Sequence, residues 1–118
     1  MHEASLVQGL LKIALKTVEE RVRRIHSITC ELGLISCVEP QTLKGCFEIF
    51  ARDGMADGAE LILRTAPLPC RCTDCGHTFE LLRRHFICPH CGSDAIRFTG
   101  GHGLVMTDLE VEPEENHD

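Results

Sequence analysis

Cys72-Thr-Asp-Cys75 and Cys88-Pro-His-Cys91 restrict the fold of this chain more than any other feature. Two C-x2-C turns, separated by twelve residues, bring four thiolates to one tetrahedral ion. Four sulfur ligands leave no open coordination position, so the site reads as structural zinc and not as a catalytic metal. Gly76 and Gly92 directly follow the two turns, where a left-handed backbone is needed. Thr78–Leu82 and Phe86-Ile87 are expected to form a hairpin between the turns, and Ala95–Phe98 a further strand, making a zinc ribbon. About thirty residues cannot bury a sufficient core, so the ion must supply folding free energy, on the order of 10 kcal/mol. A thioredoxin-like redox pair competes for one such turn but not for two in register. Cys70 is a fifth cysteine that could replace Cys72, although Cys72 completes the two-residue spacing. His77 and His90 stand beside the ligands. They read either as exposed loop residues or as imidazoles that exchange with a thiolate as pH changes.

Eight cysteines in 118 residues suggest metal binding if the compartment is reducing, and disulfides if it is not. No uncharged run is long enough to span a bilayer, and Met1-His2-Glu3 does not open a signal peptide. The expectation is a cytoplasmic protein without membrane contact. The net charge of −6 comes from residues 101–118, which carry six acids and no Lys or Arg. Residues 67–100 carry four arginines against three acids, and the chain has no Trp or Tyr. That is too little basic surplus and too little stacking surface for a nucleic-acid-binding ribbon, which is the rival reading of the cysteine motif. A thiol enzyme using Cys37 or Cys70 is the other rival, but no motif positions a histidine partner for either.

The rest of the chain reads as α+β. Leu6, Val7, Leu10, Leu11, Ala14, Leu15, Val18, Val22 and Ile25 predict an amphipathic helix over 4–25. Residues 26–34 alternate as a strand. A second helix starts from a Ser36…Glu39 capping box, or at Pro40 with Val38 or Glu39 as the cap. Its stripe is Leu43, Cys46, Phe47 and Phe50, and Asp53-Gly54 ends it. A strand follows over 59–66. Pro67 and Pro69 mark a boundary, since proline does not sit inside a central strand. Gly100–Gly103 is a second hinge, and Val105, Thr107, Leu109 and Val111 form a last strand that returns to the first sheet. The expected domains are 1–66 plus 103–112, an inserted ribbon over 67–102, and a flexible acidic tail over 113–118. Edge strands and a swappable ribbon make a homodimer a further expectation.

The amino end carries a second metal chemistry. A bulky His2 should keep the initiator methionine in place. The Met1 amine, the His2 backbone nitrogen and the His2 imidazole then form one chelating set, with Glu3 in reach. Nitrogen-rich tetragonal ligation suits Ni(II) and Cu(II). Taken alone, a histidine at position 2 is more often just an exposed residue.

Met1-His2-Glu3-Ala4-Ser5-Leu6, Gly33-Leu34-Ile35-Ser36-Cys37-Val38-Glu39 and the paired C-x2-C turns, in this order, resemble the HypA/HybF family of hydrogenase nickel-incorporation proteins. The resemblance implies a metallochaperone, acting by transfer and not as an enzyme. Its implied fold is α+β, two helices packed on a small three-stranded sheet with an inserted zinc-ribbon domain. It implies Ni(II) on Met1, His2 and Glu3, and structural Zn(II) on Cys72, Cys75, Cys88 and Cys91. The implied partners are the nickel-handling GTPase HypB, the hydrogenase large subunit and, for some members, the urease maturation proteins.

Overall fold

The structure is a computed structural model that describes residues 3–19 and 21–113. The fold is α+β. The described chain divides into two compact units, the first drawn from Met1–Cys30, Val38–Arg64 and Val105–Asp118, the second from Glu31–Cys37 and Thr65–Leu104.

In the first unit, helix α1 (Glu3–Val18) buries Val7, Leu10 and Ala14, one stripe at spacings of three and four. Glu3 in its first turn and Lys16 in its last complement the helix dipole. The apolar spacing that predicts a helix to Ile25 does not carry it past Val18. Glu19 takes a left-handed backbone (φ 49°) and the Arg21 amide closes a turn on the Val18 carbonyl at 2.9 Å. Strand β1 (Val22–Gly33) then begins four residues earlier than alternation suggests. Val22, Ile25 and Ile28 repeat every third residue and so imitate a helix stripe, but β-branched side chains favour the strand.

Helix α2 (Pro40–Ala51) resolves the two capping alternatives. Glu39, not Ser36, is the cap, and its carboxylate accepts the Thr42 amide at 2.8 Å, with Pro40 in the first helical turn. Bonds from the Thr42 and Gln41 amides hold the Glu39 carboxyl below its ordinary range. Leu43, Phe47 and Ala51 are buried, whereas Phe50 from the predicted stripe is 43% exposed. α1 packs on α2. Strand β2 (Glu60–Ala66) contributes Leu61, and β1 contributes Ile25, Ile28 and Cys30, to the buried side chains of this unit. Strand β6 (Leu104–Pro113) returns beside β1, giving the order β2-β1-β6, as the alternating last strand predicts. Its exposure is not the predicted one throughout: Val105 is 61% exposed, and Leu104 and Met106 are half-buried instead. No helix among the described residues is long and apolar enough to cross a membrane.

The second unit holds a sheet ordered β4-β3-β5: β3 (Leu68–Cys72), β4 (Thr78–Leu81) and β5 (Ile96–Phe98). The predicted pairing of 78–82 with 86–87 does not form. β4 pairs with β3 instead, Cys70 opposite Phe79, and 82–87 runs as bends. Pro69 also lies in the middle strand, against expectation. The reason is geometric. The Cys72 amide bonds the His77 carbonyl on the β4 side, so the Pro69 nitrogen faces the other way, and β5 pairing starts only at Cys70. The missing N–H therefore falls where no partner strand runs.

Residues 31–37, expected to belong with the first domain, group with the cysteine-rich unit. Arg84 donates to the Leu34 carbonyl (Nε, 2.9 Å) and to the Ser36 carbonyl (Nη2, 2.9 Å). The Ile35 and Gly33 amides bond the Gly101 and Gly103 carbonyls at 2.9 and 2.8 Å. A Cβ on Gly33 would collide with the Gly101 carbonyl, so this approach requires glycine.

Candidate metal centre

Two turns of one design build the centre. Each begins with a buried cysteine: Cys72 at the end of β3, and Cys88 after the bends. In each, the amide of the glycine four residues on bonds the first cysteine's carbonyl (Gly76 to Cys72 and Gly92 to Cys88, both 2.9 Å). In each, the first cysteine's amide bonds the carbonyl five residues on (Cys72 to His77, 2.9 Å; Cys88 to Ser93, 2.8 Å). Gly76 and Gly92 sit at φ 78° and 76°, as the turns require. A hydrogen bond from the Ser93 hydroxyl to the Asp74 carboxylate ties one turn to the other.

The sulfurs of Cys72, Cys75, Cys88 and Cys91 all lie within 4.8 Å of one another. Cys72 and Cys91 are 3.6 Å apart, and Cys75 and Cys88 are 3.7 Å apart. Sulfurs bound tetrahedrally to zinc at about 2.3 Å stand about 3.8 Å apart. The donor set and its spacing therefore fit a tetrahedral Zn(II) site. The Cys75 backbone amide, with that of Asp74, brings the Cys72 thiol down to about 7 against the opposing effect of burial. At Cys91 the Ser93 amide also acts to lower it, but burial and the three neighbouring sulfurs outweigh it and push the thiol up to about 12. Four adjacent sulfurs cannot all ionise unaided, and a divalent cation supplies the charge that lets them.

Cys70 is not part of this cluster. Leu68, Cys70 and Cys72 share the buried face of β3, but Cys70 is 5% exposed and packs with Leu34 and Leu68. Its thiol donates to the Leu68 carbonyl at 3.3 Å, and burial raises its pKa. Cys70→Ala should therefore keep the full zinc content with slightly lower thermal stability, whereas Cys72→Ala should lose the metal; elemental analysis of both variants checks this. His77 and His90 are exposed, with rings stacked at 5.2 Å, and the only metal-holding group among the described residues is the four thiols. Cys30 is fully buried, which pushes its thiol up to about 11, unsuitable for a nucleophile.

The second predicted site is only partly in view. Met1 and His2 lie outside the described residues. Glu3 opens α1, half-buried, in the first turn.

Residues 1–111 match the family described as hydrogenase/urease nickel incorporation, metallochaperone, hypA. The hydrogenase maturation factor HybF of Salmonella typhimurium is 35% identical over 113 residues, covering 95% of this chain and 100% of that protein. The hydrogenase maturation factor HypA of Shewanella sp. (strain MR-7) is 36% identical over 118 residues, covering 99% of this chain and 100% of that one. The solution structure of the Ni metallochaperone HypA from Helicobacter pylori shares the fold, with a TM-score of 0.66 at 22% identity over 97% of this chain and 100% of that one.

Proposed function

The chain belongs to the HypA family of nickel-incorporation metallochaperones, and from that membership we propose that it takes up Ni(II) at its amino end and delivers it during hydrogenase maturation. The observation that carries this reading is that the family match begins at residue 1 and so includes the chelating start. Nickel is cargo. Its donors are the Met1 amine, the His2 backbone nitrogen and imidazole, and Glu3, a nitrogen-rich set suited to tetragonal nickel. The four-sulfur cluster is the resident site, for Zn(II), and its role is structural. The two metals are sorted by geometry and donor type within one small chain.

Delivery places opposite demands on the nickel ligands, which must hold the ion against loss and yet release it to a recipient. A few donors at a chain end meet both demands better than a closed cage. Copper(II) would outcompete nickel at such donors on intrinsic affinity, so selectivity falls to metal supply and to docking on the correct partner. Those partners are a HypB-type GTPase and the hydrogenase large subunit, with urease maturation proteins as a second destination, and the exchange takes place in the cytoplasm. No bond-making chemistry on a substrate is required of the chain.

Replacing His2 by Ala should abolish nickel uptake while leaving zinc content and helix content unchanged. Calorimetric titration with nickel, beside elemental analysis for zinc, reads both. Undiminished nickel stoichiometry in that variant would overturn the assignment.

A further inference from the structure

The ribbon sheet has two faces with different work to do. Leu68, Cys70 and Cys72 of β3 point inward, to the apolar cluster and the sulfur centre. Strand alternation turns Pro69, Arg71, Thr78, Glu80 and Arg97 to the other face. All five are exposed, and together with the exposed Thr99 they line one open groove of ≈ 1120 Å³.

At the centre of this groove Arg71 on β3 is the direct cross-strand partner of Arg97 on β5. Directly opposed side chains stand about 5 Å apart at Cβ, and like charges so placed destabilise a sheet. Among the described residues no ion pair involves either arginine. Glu80, the one acid on the face, stands opposite Pro69 in the register. Thr78, opposite Arg71, and Thr99 flank the pair with hydroxyl groups.

We propose that this face is a docking surface for an acidic polypeptide segment whose carboxylates bridge Arg71 and Arg97. Guanidinium forks match carboxylates in geometry as well as charge, and two of them side by side can take carboxylates from neighbouring positions of an extended segment. Nucleic acid is the poorer occupant. Residues 67–100 have only one more basic than acidic residue, and the chain has no Trp or Tyr to stack bases. A continuous phosphate backbone would also meet Glu80, where a peptide can place an uncharged residue. The surface belongs to the ribbon and stands whether or not the amino end carries nickel.

The test is an NMR titration of the full-length, zinc-loaded, 15N-labelled protein with hexaglutamate, hexaglutamine or a single-stranded oligothymidylate of matched charge. Hexaglutamate should shift the signals of Arg71, Thr78 and Arg97, and hexaglutamine should not. Arg71→Gln combined with Arg97→Gln should keep its zinc and weaken hexaglutamate binding roughly tenfold, while Arg83→Gln, outside the groove, should change it less than about twofold. Shifts confined to the helical unit, or unchanged affinity in the zinc-loaded double variant, would overturn the proposal. So would oligothymidylate binding more tightly than hexaglutamate at these same residues.

Discussion

Removing the zinc should unfold the cysteine-rich unit and leave the helical unit folded. The apolar cluster of the cysteine-rich unit has only three buried members, Leu34, Leu68 and Cys70, supported by the half-buried Ile35, Phe79, Leu81, Phe86 and Ile96. Its strands are five, four and three residues long. Sheets this short with so small a core are not stable alone, and the metal contribution in such modules is on the order of 10 kcal/mol. The helical unit has its own buried set, including Val7, Leu10, Leu43, Phe47, Ile25 and Ile28, with no metal ligand among them. Hydrogen exchange after chelation should show protection lost at the Gly76 and Gly92 amides, which close the two turns, and kept in α1 and α2. Restoring zinc should restore it. Acid should act as chelation does, because protons compete for every thiolate the ion needs; the affinity therefore falls as pH falls and rises as it rises. Full protection of Gly76 and Gly92 in protein shown by elemental analysis to be metal-free would contradict this account.

What the residues reveal in advance follows from how far apart the interacting groups lie. The sulfur quartet is readable because each C-x2-C turn is local: its glycine, its carbonyl bond and its ligand pair fall within five residues. The cap of α2 is readable to within a choice of residue, since Glu39, Pro40 and Thr42 are neighbours. The return of β6 follows from the alternation of Val105, Thr107, Leu109 and Val111 after the cysteine motifs. By contrast, nothing near Leu34 or Ser36 announces that Arg84, 50 and 48 positions away, holds their carbonyls. The membership of 31–37 in the cysteine-rich unit was therefore hidden. The end of α1 is not legible, because Val18, Val22 and Ile25 continue the helical spacing of four and three although the chain from Val22 on is a strand. Pro69 is tolerated in the middle strand because the rule against proline there applies only where both neighbours run alongside. For the proposed nickel site, the donor chemistry of Met1 and His2 is legible in the residues alone, and both lie outside the described residues.

Extending the chain ahead of Met1 should cost nickel binding more than any other change outside His2 itself. The reason is the identity of the first donor. A free α-amine has a pKa of about 7.7–8.0 and binds a metal once deprotonated; after extension the same nitrogen becomes an amide, a far weaker donor. The chelate rings proposed for the amine, the His2 amide nitrogen and the imidazole would then lose their anchoring end, and Glu3 and the imidazole alone would not hold a tetragonal ion. Length matters in this experiment. One added residue would put the histidine third, where amine, two amides and imidazole reach a single square plane, so binding would persist through a different site. An extension of several Gly and Ser residues avoids this. With it, nickel affinity measured by calorimetry at neutral pH should fall at least roughly tenfold, while zinc stays bound to the four thiols. Protease removal of the extension, leaving Met1 free, should restore uptake. Unchanged affinity with the long extension in place would mean that the ion is held by donors elsewhere in the chain, and the amino-end assignment would have to be abandoned even though family membership stands.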